Sequence, residues 1–113
     1  MDPEEVVYKY TLMHNRYGVN GVENKDVAEA LSDQLMLSFI PEQPLREYPG
    51  GYRGIFSKFD TYIYMIDLEV HSAMTKLEIR YRPAEGNEWR NVYQDIEELG
   101  DKVNDAFKIL ADQ

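Results

Sequence analysis

The sequence predicts an α+β fold in which a three-stranded antiparallel sheet carries a long C-terminal helix on one face. Two patterns indicate this fold class. Apolar residues alternate with polar ones along residues 61–82, as in a strand hairpin, and recur every three or four residues along residues 89–110, as in an amphipathic helix. We expect the element order α-α-β-β-β-α in a single domain that spans residues 1–113.

The central hairpin brings its apolar side chains onto one face: Tyr62, Tyr64, Ile66, Leu68 and Val70 on one strand, and Leu77, Ile79 and Tyr81 on the other. Residues 72–75 form the expected connection of about four residues. This loop places Asp67 opposite Arg80 and Glu69 opposite Glu78. A tighter turn pairs Glu69 with Arg80 and Asp67 with Arg82. Cross-strand pairs contribute only about 0.2–1 kcal/mol each, so charge does not decide between these registers.

The N-terminal segment has the signals of a helix start, with Asp2 as N-cap and Pro3 at the first helical position. Gly18 is placed to end that helix. Residues 6–13 also alternate as a strand does, and the capping signals favour the helix.

A second helix is predicted to start near Asn24 or Asp26 and to end at Pro41, because the residue before a proline is disfavoured in the α conformation. The two helices and their short turn resemble the layout of a helix-turn-helix. From Asp26 to Pro41, however, the chain has no Lys or Arg, so a recognition helix could not contact phosphates. We therefore expect no direct binding to nucleic acid.

Residues 42–54 contain two prolines and three glycines and are predicted to form a long loop. Tyrosine and arginine are frequent in the energetically important centres of protein interfaces. The loop is therefore a candidate contact region, through Arg46, Tyr48, Tyr52 and Arg53. Residues 55–59 supply the first of the three strands.

The formal net charge is −9, and the acidic excess lies in the two ends of the chain. Such a charge disfavours nucleic acids and anionic membranes and favours basic partners. The chain has no cysteine and no apolar run approaching the ~18 residues of a membrane span, and its first residues, MDPEE, do not resemble a signal peptide. We expect a cytoplasmic protein.

Candidate chemistry is sparse. Asp67, Glu69 and His71 share one strand face, and two carboxylates with an imidazole could hold a divalent metal for a small-ligand or metal-dependent enzyme. The competing interpretation is a wet outer face whose charges are balanced across the hairpin by Lys76, Arg80 and Arg82. No nucleophile elbow, zinc-protease motif or dinucleotide fingerprint occurs. We expect no enzyme, no metal site and no cofactor.

The last helix is the main candidate for contact with a partner. Its polar side carries an acidic face made of Asp95, Glu97, Glu98, Asp101 and Asp105. These residues indicate a non-enzymatic protein-binding module that docks a basic surface, as an inhibitor, an immunity-type or chaperone-like protein, or a subunit of a complex. The apolar seam along 89–110 also matches a coiled coil, so a self-associating structural protein, including a homodimer, is the alternative.

Overall fold

Five antiparallel strands form one sheet, and two helices pack on one of its faces. The computed structural model describes residues 4–19, 21–89 and 93–112, with the backbone alone described for 93–95. The elements are β1 (Val6–Met13), a 3₁₀ turn (His14–Tyr17), α1 (Asn24–Met36), β2 (Ile40–Tyr48), β3 (Gly51–Phe59), β4 (Tyr62–Val70), β5 (Met74–Pro83) and α2 (Tyr93–Ala111). The strand order is β1-β5-β4-β3-β2, so the N-terminal strand lies beside the last one.

The α+β class is confirmed, but the three-stranded sheet and the α-α-β-β-β-α order are wrong. The first error concerns β1, which we predicted to be a helix. It pairs with β5 along its whole length, from Val6 opposite Tyr81 to Met13 opposite Met74. The capping residues Asp2 and Pro3 lie outside the described residues. Gly18 does end a helical turn, with φ of 73°, but that turn is the short 3₁₀ segment after the strand.

The second error concerns residues 42–54, which form most of a hairpin and not a loop. Pro49 and Gly50 make its two-residue turn, and Gly50 has the positive φ of 97° that a turn of this sequence favours. Pro41 and Pro44 are tolerated because β2 is an edge strand, which does not need every N–H for pairing. The pairing of β2 with β3 is irregular at two places.

The β4–β5 hairpin has the predicted faces but neither predicted register. Leu68 lies opposite Leu77, and Asp67 lies opposite Glu78 where we expected Arg80 or Arg82. The connection runs over residues 71–74, one residue earlier than expected, which moves the pairing by two positions and keeps each side chain on its face. We call the face that contains Leu68 the inner face and the face that contains Asp67 the outer face.

The core lies between the inner face and the helices. Alternate β4 side chains from Tyr62 to Val70 are at most 7% exposed. α1 packs against β2, β3 and β4, beginning at Asn24 as predicted and ending at Met36, before Pro41. The apolar stripe of α2 is also buried within the chain, through Ile96, Leu99, Val103, Ala106 and Leu110. This stripe is therefore not available as a coiled-coil seam between copies.

The described part of α2 spans 19 residues, from Tyr93 to Ala111, and covers most of the predicted helical pattern along residues 89–110. Trp89 lies before the helix, with its ring centroid 5.8 Å from that of Tyr62 and 6.0 Å from that of Tyr81. It therefore contributes to the core from an irregular segment. Val92, which belongs to the predicted stripe, lies outside the described residues.

Two glycines should respond in opposite directions to alanine. A Cβ at Gly51 would lie 1.9 Å from the carbonyl oxygen of Val70, whereas a Cβ at Gly100 on α2 has no atom within 4 Å. We expect Gly51→Ala to lower the free energy of unfolding by about 1–3 kcal/mol and Gly100→Ala to raise it by about 1 kcal/mol. Urea denaturation of both variants checks this, and a stabilised Gly51→Ala would contradict the close approach of these backbones.

Burial of His14 should make the fold sensitive to acid. Its side chain is 2% exposed, its Nε2 lies 2.8 Å from Thr75 Oγ1, and its ring packs on Phe107 of α2. Burial lowers the pKa of His14 below its ordinary value. The imidazole of His14 therefore binds a proton more readily in the unfolded chain than in the folded one. The stability that neutral His14 contributes above pH ~6.5 is lost as the pH falls through that value.

The variant His14→Gln removes this titration and keeps a hydrogen-bonding group beside Thr75. We expect the wild type to lose more unfolding free energy than the variant between pH 7.5 and pH 5, as measured by urea denaturation. Equal losses in the two proteins would contradict a titrating role for the buried imidazole, because all other ionisable groups are shared.

Candidate functional site

The molecule separates its charges by layer. α1 and α2 together contain eight acidic and three basic residues, a net charge of −5. The five strands contain five acidic and seven basic residues, a net charge of +2. The solvent side of the helix layer is therefore the acidic surface of the described fold.

A groove of about 390 Å³ runs between α1 and α2. On α1, Asp26, Glu29 and Asp33 line it at spacings of three and four residues, which place them on one side of the helix. Its apolar floor and wall come from Ala30, Ala106, Leu110 and Ile109. Ile109 is 53% exposed, so the groove presents apolar surface to solvent beside carboxylates. We call it the interhelix groove.

The predicted acidic face of α2 is exposed to solvent. Glu97, Glu98, Asp101 and Asp105 are all exposed, and none forms an ion pair with another described residue. The side chain of Asp95 lies outside the description. Asp105 precedes Ile109 by one helical turn on α2, whereas the carboxylates that line the interhelix groove belong to α1.

α2 also carries two bases, Lys102 and Lys108. Lys102 donates a hydrogen bond to Ser38 Oγ and, with Glu98, lines a small cleft beside the end of α1. Within the described residues, neither lysine forms an ion pair with a carboxylate of α2. The five acids of α2 therefore leave this helix with a net charge of −3.

The predicted Tyr/Arg contact region lies elsewhere. Arg46 and Arg53 are cross-strand neighbours on the outer face, and Tyr48 lies on that face with its ring 6.4 Å from the ring of His71. Tyr52, one residue before Arg53, lies on the inner face at the tip of the hairpin. The sheet separates these arginines from the acidic helices, so the two predicted contact regions do not form one continuous site.

Tyr48 is held in a partly desolvated position. Its hydroxyl oxygen is buried without a hydrogen-bond partner among the described residues. Burial, followed by the negative charge of Glu69, raises the pKa of Tyr48. This hydroxyl therefore stays protonated at neutral pH and is not poised as a base.

The predicted metal candidates contact other side chains, and Asp67 is held in an ion pair. Arg53 donates two hydrogen bonds to Asp67, at 3.0 Å from Nε and 2.6 Å from Nη2, and His71 Nε2 lies 3.8 Å from Glu69. The cation beside Asp67 thus comes from β3, whereas we expected Lys76, Arg80 or Arg82 of β5. On the opposite strand, both partners differ in sign from those expected with a four-residue loop, since Asp67 faces Glu78 and Glu69 faces Lys76. Within the described ranges, no group of three or more metal-ligating side chains could hold an ion.

The α1 side of the groove and Ile109 were not predicted from the sequence. The signal for α1 was present, because the lack of Lys and Arg from Asp26 to Pro41 also makes the solvent side of this helix acidic. Ile109 lies off the apolar stripe of α2. An apolar residue at such a position marks a surface contact, but its neighbour across the groove depends on how the two helices pack.

Comparisons with known proteins add little. Neither a protein-family model nor a curated protein sequence matches the chain. Among solved structures, the crystal structure of Ara h 8.0201 is similar over 96% of this chain and 99% of that chain, with 10% sequence identity and a TM-score of 0.41. This similarity is too low to support an inference about fold or function.

The helices of the described residues do not have the length and apolarity that crossing a bilayer requires.

We predict that divalent metals leave the protein's melting temperature unchanged. The guanidinium of Arg53 occupies the oxygens of Asp67 that a cation would need. Thermal denaturation with Mg²⁺, Mn²⁺ or Zn²⁺, and with EDTA as the control, measures this, since a ligand that binds the folded state raises the melting temperature. A metal-dependent rise that disappears in Asp67→Asn would overturn the prediction. Asp67→Asn itself should cost less than about 1 kcal/mol, as expected for a partly exposed ion pair.

Proposed function

We propose that the chain is a non-enzymatic protein-binding module that docks a basic surface of a partner protein through its helix layer. The observation that carries this proposal is the interhelix groove, in which exposed apolar surface of α2 lies beside a row of carboxylates on α1. Within this class, we propose an inhibitor, an immunity-type or chaperone-like protein, or a subunit of a complex. The absence of cysteine is compatible with a reducing compartment, and we place the interaction in the cytoplasm.

Charge separation supports this choice of surface. The helix layer carries −5 and the strands carry +2, so a basic partner is attracted to the helices and meets no such attraction at the outer face. Complementary charge raises association rates and suppresses wrong partners more than it adds affinity. The carboxylates therefore account for selection of the partner and for its orientation.

The apolar floor of the interhelix groove supplies the apolar contact that charged residues do not provide. The centres of protein interfaces are depleted in charged residues and enriched in apolar ones, while their rims are polar. Ile109 is the exposed apolar residue of the groove, Asp33 of α1 lines the same groove, and Asp105 lies one helical turn before Ile109 on α2. We propose that an apolar side chain of the partner contacts Ile109 while its lysines and arginines face the carboxylates.

The β2–β3 hairpin is a weaker candidate for this contact. Arg53 donates hydrogen bonds from Nε and Nη2 to Asp67, so part of its guanidinium is already engaged within the sheet. Arg46 and Tyr48 share the same outer face, far from the helices. We therefore assign the first contact with a basic partner to α1 and α2.

The proposal predicts a charge-specific interaction. A triple variant, Glu97→Gln with Asp101→Asn and Asp105→Asn, removes three carboxylates from α2 without changing side-chain size. The control variant, Glu4→Gln with Asp60→Asn and Glu85→Gln, removes the same charge from exposed positions outside the helices. We expect a basic protein from the source cell to be retained by the immobilised wild type and by the control, and to be lost from the α2 variant.

The affinity of that complex should fall at least about tenfold between 0.1 and 1 M salt, because the screening length shortens from about 10 Å to about 3 Å. Ile109→Ser should weaken the complex at every salt concentration, since it removes apolar contact and no charge. Binding that is equal for the wild type and the α2 variant, and insensitive to salt, would overturn the proposal.

A further inference from the structure

We infer that the free edge of β1 and the cleft beside α2 bind an extended, basic segment of a partner protein by strand addition. The inference rests on the proposed function in one respect, that the chain binds protein, but it uses a different surface. The peptide lies antiparallel or parallel to β1 as a sixth strand, and its alternate side chains turn toward α2.

The two edge strands of the sheet differ in how well they are protected from pairing with a further strand. β2 contains two prolines and two irregular pairings, which are features that protect an edge from further pairing. β1 contains no proline, pairs regularly with β5, and is rich in β-branched and aromatic residues. Its one charged side chain, Lys9, lies on the outer face opposite Glu78. No described strand pairs with its other side. Val7, Tyr8 and Tyr10 are 41%, 38% and 37% exposed, so this edge is open to solvent.

An apolar cleft opens beside this edge. It has a volume of about 160 Å³ and lies between the inner face and α2. Leu12 of β1, Leu77 of β5 and Val103 of α2 are among its apolar lining residues, and Gly100 and Asn104 form its helical rim. An apolar cavity of about 150 Å³ is large enough to hold benzene. The cleft therefore fits one aliphatic or aromatic side chain.

Strand and helix together form a known type of peptide groove. In strand addition, main-chain hydrogen bonds give affinity, and pockets for alternate side chains give specificity. Leu12 lies on the inner side of β1, as its pairing with Thr75 shows. A strand added to β1 has its inward side chains at the same level, next to the cleft. One such side chain enters the cleft while the backbone pairs with β1.

Charge selects a basic partner segment over a second copy of the chain. Glu97 and Asp101 precede Gly100 and Asn104 by three residues, so these acids are neighbours of the rim on the helix surface. Pairing of β1 with β1 of a second copy would bring together two chains of net charge −9, and each copy's acidic α2 would approach the other. Side chains two residues apart on a strand lie on the same face. A segment that carries an apolar residue and a lysine or arginine at successive inward positions therefore meets both the cleft and the acids.

The test uses the intact chain and a fluorescein-labelled peptide of about ten residues. In it every second residue is Thr, and the residues between are alternately Leu and Lys, so that Leu and Lys share one face of the strand. Two N-methylated forms of it carry the methyl groups on either the odd or the even positions, so each blocks the hydrogen bonds of one edge only. We expect fluorescence anisotropy to show binding of the parent peptide and of one methylated form. Equal binding of both methylated forms would overturn strand addition.

Gly100 gives a matched pair of protein variants. Gly100→Leu fills the rim of the cleft, whereas Gly100→Ala makes a similar change in helix propensity with one methyl group. We expect Gly100→Leu to weaken the peptide at least about tenfold, the effect of losing one buried aliphatic contact, and Gly100→Ala to bind as the wild type does. Amide exchange should show new protection at alternate β1 residues in the complex. Equal affinity of both variants would overturn the role of the cleft.

The outcomes separate this inference from the proposed function. If no peptide binds while the basic partner is still captured in a charge-dependent way, the strand-addition site fails and the helix-layer site stands. If the peptide binds as expected while capture of the basic partner is insensitive to charge, the helix-layer site fails and the strand-addition site stands. Light scattering tests the remaining possibility, that the edge of β1 binds a second copy of the chain. A dimer that Gly100→Leu dissociates would show this and would overturn the choice of a basic segment.

Discussion

Burial of one face of the β4–β5 hairpin is the constraint on which the rest of the structure depends. The inner side chains of β4 are nearly inaccessible, and a two-stranded ribbon cannot bury such a face by itself. Both helices therefore have to lie on the same side. β3 and β1 widen the sheet on either side of the hairpin, which gives α1 a platform near β3 and α2 a platform near β5. The acidic surfaces are the solvent sides of the two helices that this burial requires.

The elements that could be predicted from the sequence are those whose pattern is local. The faces of β4 and β5 follow from alternation, and the buried side of α2 follows from its steps of three and four residues. β1 could not be decided in this way, since residues 6–13 fit both periods. What decides is the edge of β5, which lies far away in sequence and accepts every residue of this segment as a partner. Tertiary pairing outweighs a helix-capping signal that is worth only about 1 kcal/mol.

The β2–β3 hairpin was missed for a related reason. Prolines and glycines in 42–54 indicate a loop if each residue is judged alone. In the sheet, Pro41 lies on an edge, where a missing N–H costs little, and Pro49-Gly50 is the turn itself. Edge strands resemble loops in composition because residues that discourage further pairing are favoured there. The α2 acids of the candidate site were accessible to prediction from helical spacing, whereas the interhelix groove depends on the packing of α1 against α2.

The net negative charge of the chain affects both proposed surfaces. An exposed, regular edge such as β1 is a hazard for association between copies, and the chain has no proline there to prevent it. A net charge of −9 opposes the approach of a second copy. That repulsion does not act on a basic segment, which is attracted by the acids of α2 on its way to the edge. The charge that keeps copies of this chain apart thus also determines which strand β1 can accept.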